Sequence, residues 1–157
     1  MKRLSFISAL ALLIIGAWVL AQTPSDSVQE GLRNVEVASI ADATEQLYAK
    51  RSYMSHEMRP VFMTRFSSPA VTVLLKKAEH KEGSAASGGM LDAIDDAKPG
   101  SVYVMVLEDG ADYAGIGALM ATVMKYRGLA GAVIDGSVRD TPQIKRIQFH
   151  VFKGYEV

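Results

Sequence analysis

Apolar residues recur at helical spacing in some stretches of this chain and in short unbroken runs in others, and the alternation sets the expected fold. Ile40, Ala43, Thr44, Leu47 and Tyr48 share one face, which predicts a helix over 40–50 with Ser39 as N-cap and Asp42 in a capping-box position. After a loop holding Tyr53-Met54-Ser55-His56-Glu57-Met58-Arg59-Pro60, the run 70–75 reads as a buried strand. Met90, Ala93, Ile94 and Ala97 predict a short helix stopped by Pro99-Gly100, and the β-branched run 102–107 predicts another strand. A polar loop over 108–115 leads to a helix in which Ile116, Leu119, Met120, Val123 and Met124 share a face, Lys125 and Arg127 lie near the end, and Gly128 is the stop of the helix. The strand 132–135 follows, with Asp135-Gly136 as a sharp turn. Thr141 as N-cap and Pro142 at the first helical position open a helix through Ile147, and 149–152 is a last short strand.

Strand, helix and strand between 102 and 135 make a βαβ unit, hence two parallel strands joined by a right-handed crossover. The expected fold class is α/β, in one domain, because 157 residues suffice for one core and not for two.

The first residues stand apart from that fold. Lys2 and Arg3 precede a nearly unbroken apolar run over 4–20, and Val19 and Ala21 put small residues at the −3 and −1 positions of a cleavage site. This layout predicts a signal peptide over 1–21, a polar linker over 22–34 beginning QTPSDS, and a folded domain over 35–157. The domain is then exported, to a periplasm or the medium. An uncleaved leader would instead be a membrane anchor, whereas cleavage leaves no stable insertion.

The 17 basic and 17 acidic residues balance, and loss of the leader leaves a mildly acidic domain, so nucleic acid is not an expected partner. With no cysteine, disulfides, thiolate metal sites and a cysteine nucleophile are excluded together. The eight methionines read as core filler. His56, His80 and His150 lack ligand-like spacing and read as surface or hydrogen-bonded structural residues.

In a parallel sheet, ligands bind beyond the carboxyl ends of the strands, where the loops 108–117 and 136–140 converge. Gly115 and Gly117 open a helix whose unpaired N–H groups and dipole favour an anion. The alternative is that they only make the turn. A dinucleotide fingerprint would need a third glycine where Met120 stands, and the patch 83–89 lacks the Lys-Ser/Thr pair of a phosphate loop, so both nucleotide readings fail. The patch reads better as a loop or a helix entry. Arg139 and Asp140 sit just past a strand too apolar to be exposed. Arg grips a carboxylate through paired hydrogen bonds and Asp holds a hard cation, which together suit a 2-oxo acid on Mg²⁺. A salt bridge or a helix cap is the competing explanation of that pair.

The strings Gly117-Ala118-Leu119-Met120 and Gly128-Leu129-Ala130-Gly131-Ala132-Val133-Ile134-Asp135-Gly136-Ser137-Val138-Arg139-Asp140, with Ala41-Asp42-Ala43 and Lys98-Pro99-Gly100 upstream, resemble the RraA-like family over about 35–152. That family includes 4-hydroxy-4-methyl-2-oxoglutarate aldolases, oxaloacetate decarboxylases and the regulator of ribonuclease E activity. The resemblance implies a swivelling β/β/α fold assembled as homotrimers or hexamers with sites between subunits. It implies that Gly117, Ala118, Leu119 and Met120 bind a small 2-oxo-acid substrate through their backbone. Arg139 would hold that substrate and act in catalysis, and Asp140 would bind Mg²⁺ or Mn²⁺.

The implied function is a metal-dependent lyase of the class II aldolase or oxaloacetate decarboxylase kind. Ala118 replaces a usual polar or glycine residue, Gln143 replaces a frequent Glu or Asp, and Val157 falls where the family continues into further sheet. The domain is therefore expected to be incomplete at its C-terminus, through a truncated gene product or an abbreviated fold. The competing expectation is a non-catalytic RraA-like binding or regulatory protein.

Overall fold

The computed structural model describes residues 24–77, 85–110 and 112–157. The leader, His80 and the start of the Gly/Ser/Ala patch lie outside them. The elements run α1 (Pro24–Asn34), α2 (Val37–Tyr48), β1 (Arg59–Pro60), β2 (Ala70–Leu75), α3 (Ala85–Asp95), β3 (Val102–Leu107), β4 (Ala114–Ile116), α4 (Ala118–Tyr126), β5 (Gly131–Val138), α5 (Thr141–Arg146) and β6 (Val151–Glu156).

The chain is α/β, and the sheet has the order β1-β6-β5-β3-β2, with β4 paired to β5. Strands β2, β3, β5 and β6 are mutually parallel, and among the described residues only β1 runs antiparallel, against β6. The expected βαβ unit is present, since β3 and β5 pair in parallel across α4. Because β2, β3, β5 and β6 occupy the sheet in chain order, every crossover moves the same way. Right-handed crossovers then put α3, α4 and α5 on one face.

The core lies under those helices. Met90 and Ile94 of α3, Ala121 and Met124 of α4 and Ile144 of α5 close over Tyr103, Met105, Ala132, Ile134 and Val151 of the strands. On the other face, Phe66 sits edge-on to Phe152 at 5.7 Å and against Gly131, where an added Cβ would meet its ring at 2.8 Å and the His150 carbonyl at 2.9 Å. His150 is structural: Nδ1 pairs with the Thr64 hydroxyl at 2.5 Å, and its ring tilts against Phe62. Gly131→Ala is expected to cost about 2 kcal/mol, an overpacking penalty, because the obstructing carbonyl belongs to the backbone; a denaturant melt checks it.

Several local expectations change. The strand 70–75 has the expected bounds but is half-exposed in alternation, because it forms the sheet edge. Residues 24–34, read as linker, form α1, with Pro24 at a position that tolerates its missing N–H. Helix α2 starts at Val37 rather than after Ser39, and its N-cap, Glu36, makes no side-chain cap bond. A tertiary clamp sets that start: Arg65 bonds the Val35 carbonyl and lies 3.6 Å from the Glu36 carboxylate.

Residues 85–89 of the small-residue patch do enter a helix, α3. The loop 108–115 contains part of β4, which takes Ile116 out of the expected helix. The buried side of α4 therefore shifts to Ala121 and Met124, and Leu119 is 80% exposed. Asp135-Gly136 does not turn the chain. The register of β5 shifts there, Gly136 takes φ +150°, Ser137 N–H donates to the Gly110 carbonyl, and the strand continues to Val138.

Thr141 is not the N-cap of α5; Asp140 occupies that position, and the Thr141 hydroxyl donates to Glu156. The last strand runs over Val151–Glu156, because Phe149 N–H still bonds back to Ile144 at the helix end. Among the described residues no helix is long and apolar enough to cross a membrane.

One core group is left unsatisfied. Tyr103 is 0% exposed, and its hydroxyl has no hydrogen-bond partner among the described residues. Burial pushes its pKa up to about 12. Since the folded value lies above the unfolded one near 10, stability is undiminished while the phenol stays neutral in both states, below pH ~10, and falls as pH rises toward ~12, where the unfolded chain ionises and the buried ring does not. Tyr103→Phe removes an orphaned hydroxyl at nearly constant shape, so it is expected to leave stability unchanged or raise it by about 1 kcal/mol and to flatten the alkaline limb of a pH melt.

Candidate anion and metal site

The pairing of β4 with β5 builds the site. Ile116 pairs with Val138 in parallel register, so the residues leaving each strand, Gly117 and Arg139-Asp140, emerge side by side. Arg139 N–H donates to the Ile116 carbonyl at 3.1 Å and fixes that adjacency. Gly117 is the N-cap of α4 in an extended conformation, φ −136°, and supplies no side-chain cap. The Asp140 carboxylate serves instead, accepting Ala118 N–H on Oδ2 at 3.1 Å.

Close packing accounts for the glycine. A Cβ at position 117 would lie 2.6 Å from Asp140 Oδ2 and 3.0 Å from both Cγ and Nε of Arg139. Gly115 is equally confined, against Leu107 and Met105, so it serves the strand and not the site.

Asp140 holds a left-handed conformation, φ +59°, which costs a non-glycine residue about 1 kcal/mol or more. The surroundings enforce it. Gln143 and Ile144 N–H groups donate to the Asp140 carbonyl at 2.9 and 3.0 Å, while the side chain reaches across to α4. Thr141, buried beside it, is tied to Glu156 on β6, whose carboxylate also meets Lys153 at 3.1 Å. Hydrogen bonding from Thr141 and then Lys153 keeps the Glu156 carboxyl below the usual carboxylate range. That tie is at full strength above the ordinary carboxylate pKa and weakens as pH falls through the lowered value.

Arg139 Nε lies 3.8 Å from Asp140 Oδ2, a loose contact between side chains 68% and 48% exposed. Such a surface pair contributes little to stability, at most about 1 kcal/mol. The pair is instead available to a ligand, because most of the guanidinium fork faces outward. In the first turn of α4, Leu119 and Met120 N–H groups have no intrahelical acceptor. Arg139 and these amides form a positive edge, and Asp140 puts one carboxylate beside it.

Gly117, Ala118, Arg139 and Asp140 are thus brought together; Leu119 and Met120 follow in the first turn of α4, where the Leu119 side chain projects into solvent. Gln143, in the first turn of α5, turns its amide oxygen to Arg146, from which it accepts at 2.9 Å. Glu156 was not singled out from the sequence, and its place on β6 opposite Val138 depends on strand register.

Among the described residues no group of three or more His, Asp or Glu side chains converges as a ready-made metal cage. The donor set still fits Mg²⁺, which keeps several waters and takes one or two carboxylates plus substrate oxygens. Asp140 Oδ2 is engaged with Ala118 N–H and Arg139, while a carboxylate offers about four lone-pair positions. A separate cavity of 320 Å³ lies beyond the ends of β2 and β3, between Leu75, Leu107, Tyr113 and the Lys77–Asp109 ion pair.

A family model described as RraA-like, Aldolase/RraA, matches residues 37–156. Similar solved structures include one of the novel cellulases from microbes associated with the gut ecosystem (18% identity, TM-score 0.74), covering 87% of this chain and 62% of that one. Another is RraAS2 of Streptomyces coelicolor, an unusual member of the RNase ES inhibitor RraA protein family (22%, TM-score 0.74; 86% and 66%). A third is the RNA-processing inhibitor RraA from Thermus thermophilis (17%, TM-score 0.56; 74% and 67%). The chain spans less than two thirds of the first two, and at these identities the likeness is one of fold.

Proposed function

This chain belongs to the RraA-like family, and from that premise we propose that it is a divalent-metal-dependent lyase acting on 2-oxo acids. Its reactions would be retro-aldol cleavage of 4-hydroxy-4-methyl-2-oxoglutarate, decarboxylation of oxaloacetate to pyruvate, or both. The observation that carries this reading is the Gly117–Arg139–Asp140 cluster, in which Asp140 accepts Ala118 N–H and lies against Arg139 at a helix N-terminus.

The substrate carboxylate binds to the outward N–H groups of Leu119 and Met120 and to the Arg139 guanidinium, which fixes the 2-oxo group at the strand ends. Asp140, with water and the substrate's own oxygens, would hold Mg²⁺ or Mn²⁺, which supplies Lewis-acid polarisation of the keto group when bound. As the carbon–carbon bond breaks, CO₂ leaves oxaloacetate, or the 4-hydroxyl of the longer acid gives its proton to water and becomes the keto group of a second pyruvate. The electron pair moves toward the keto oxygen, and the resulting enolate takes a proton from water at C3 to give pyruvate. Arg139 offsets the charge that develops on that oxygen. Oxaloacetate is the simpler test substrate, because its loss of CO₂ needs no general base. With a single carboxylate at the site, metal and substrate are expected to bind together: the apparent Mg²⁺ affinity should rise at least tenfold at saturating substrate, measured as activity against free Mg²⁺.

The active form in this reading is a homo-oligomer, a trimer or hexamer. The apolar leader supports an exported location, which N-terminal sequencing of a mature chain beginning at Gln22 would check. The second reading, a non-catalytic binding or regulatory module, is favoured by the exposure of Arg139 and Asp140 and by the engagement of Gln143 with Arg146. A folded oligomer with no Mg²⁺-dependent turnover of either substrate would decide for it.

A further inference from the structure

A cavity of 520 Å³ opens where α1 meets the starts of β2 and β3, between Gln29 and Arg33 of the helix, Ser68-Pro69 ahead of β2 and the turn 98–101 ahead of β3. Ala70 pairs with Val102, so the two approach segments run side by side. Backbone bonds fix these walls. Val102 N–H donates to the Pro69 carbonyl at 2.8 Å, Ser101 N–H to the Lys98 carbonyl at 3.0 Å, and Gly100 N–H, at φ +84°, to the Gly128 carbonyl at 2.7 Å. The Gly117–Asp140 cluster lies at the other end of the strands, and strands of six to eight residues put roughly 20 Å or more between the two.

The lining carries two cations, Arg33 and Lys98, and no carboxylate. Neither cation joins an ion pair among the described residues. Arg33 Nε donates to the Ser67 carbonyl at 3.2 Å, which anchors the guanidinium and leaves its two terminal nitrogens without a partner among the described residues. The acidic residues nearest in sequence, Asp95 and Asp96, lie outside the lining, and Asp95 is committed to Arg127 at 3.5 Å. Ser101 lines the cavity while only 5% exposed, and its hydroxyl has no hydrogen-bond partner among the described residues. A buried hydroxyl is seldom left so, and the open side here is the cavity. An adjoining cavity of 370 Å³ shares Arg33 and Ser68, but its Arg65 is already matched by Glu36 at 3.6 Å, so it adds room and no further unmatched charge from Arg65.

We propose that this cavity binds a phosphate dianion, free or as the phosphate group of a small ester, at a site separate from the lyase site. Two unmatched positive charges suit a dianion, whereas a single carboxylate would leave one of them unmatched. The Arg33 fork grips two phosphate oxygens, Lys98 supplies a compact charge, and the Ser101 hydroxyl donates to a further oxygen. The volume exceeds that of a bare ion and leaves room beside Gln29 and Ser68 for the body of an ester. None of Gly117, Arg139 and Asp140 takes part, so the inference goes beyond the lyase reading and stands without it.

The test is a calorimetric titration of the full chain at low ionic strength, without Mg²⁺, using inorganic phosphate and, separately, ribose 5-phosphate. Saturable binding at one site per chain is expected; tighter binding of ribose 5-phosphate identifies an ester as the occupant, and tighter binding of inorganic phosphate identifies the free ion. Arg33→Gln and Lys98→Gln should each weaken binding about tenfold or more, the loss of a hydrogen bond to a charged group. Ser101→Ala should weaken it about fivefold, the loss of a neutral donor, which diffuse attraction to surface cations would not show. Arg33 and Lys98 are exposed and the Ser101 hydroxyl is unpaired, so all three variants should keep the wild-type far-ultraviolet dichroism. Arg139→Ala should bind phosphate as wild type does. No saturable binding by wild type, or affinity unchanged in the Arg33 and Lys98 variants or in Ser101→Ala, overturns the proposal. So does binding lost in Arg139→Ala, which would assign the anion to the lyase site. Pyruvate release keeps the readings apart: its absence from a chain that binds phosphate refutes the lyase alone.

Discussion

Asp140→Asn should abolish Mg²⁺-dependent pyruvate release from oxaloacetate, lowering kcat/KM by about a hundredfold or more, while the fold is retained. The substitution keeps an oxygen to accept Ala118 N–H, so the start of α4 stays capped as it is now at 3.1 Å. It removes the negative charge that a hard cation requires. Arg139→Ala should cost about 10²–10³ in the same quantity, the range found when a donor to a developing oxyanion is removed. The two differ in metal dependence: residual activity of Arg139→Ala still rises with Mg²⁺, and that of Asp140→Asn does not. Steady-state rates with and without chelator read both effects, and equal rates in wild type and both variants would refute the assignment.

The second large effect is expected at Gly117, where the obstruction is steric and not conformational. Its φ of −136° is open to any residue, so alanine brings no backbone strain. The new Cβ would stand 2.6 Å from Asp140 Oδ2 and 3.0 Å from Arg139 Nε, and both side chains must swing away. Activity should fall about a hundredfold, as positioning of reacting groups is lost. Stability should change by only about 1–2 kcal/mol, because the displaced groups are on the surface. A collapse of both together would mean that the cluster is structural support rather than a site.

The parts of the fold legible in the sequence are those fixed by local pattern. The runs 70–75 and 102–107 were bounded by their own composition, between Pro69 and Lys76 and between Pro99-Gly100 and Glu108, and β2 and β3 have those bounds. The proximity of Gly117 to Arg139 and Asp140 was also readable, because a right-handed βαβ crossover returns both loops to one sheet edge. What pairing decides was not readable. Ile116 belongs to a helical stripe by spacing and to β4 because Val138 lies beside it. Asp135-Gly136 has turn chemistry, yet Gly110 fills the shift in register and the strand runs on.

The same limit applies to the site. Thr141 has N-cap chemistry, but Glu156 on a neighbouring strand claims its hydroxyl, and Asp140 takes the cap position in a left-handed conformation. The helical stripe of α2 was recognised, but spacing assigns a face and says nothing of its partner. In the single chain that face has none of its residues buried. An edge strand and a central one also look alike in a run of Val and Leu, which is why β2 read as buried.

The most direct measurement of the central claim is a calorimetric titration with oxalate, a planar dianion with the shape and charge of the enolate of pyruvate. Saturable binding in Mg²⁺, absent in chelator and in Asp140→Asn and weakened at least tenfold in Arg139→Ala, is the expected result. Binding of equal strength in chelator and in both variants, or no binding by the wild-type chain in Mg²⁺, would contradict it.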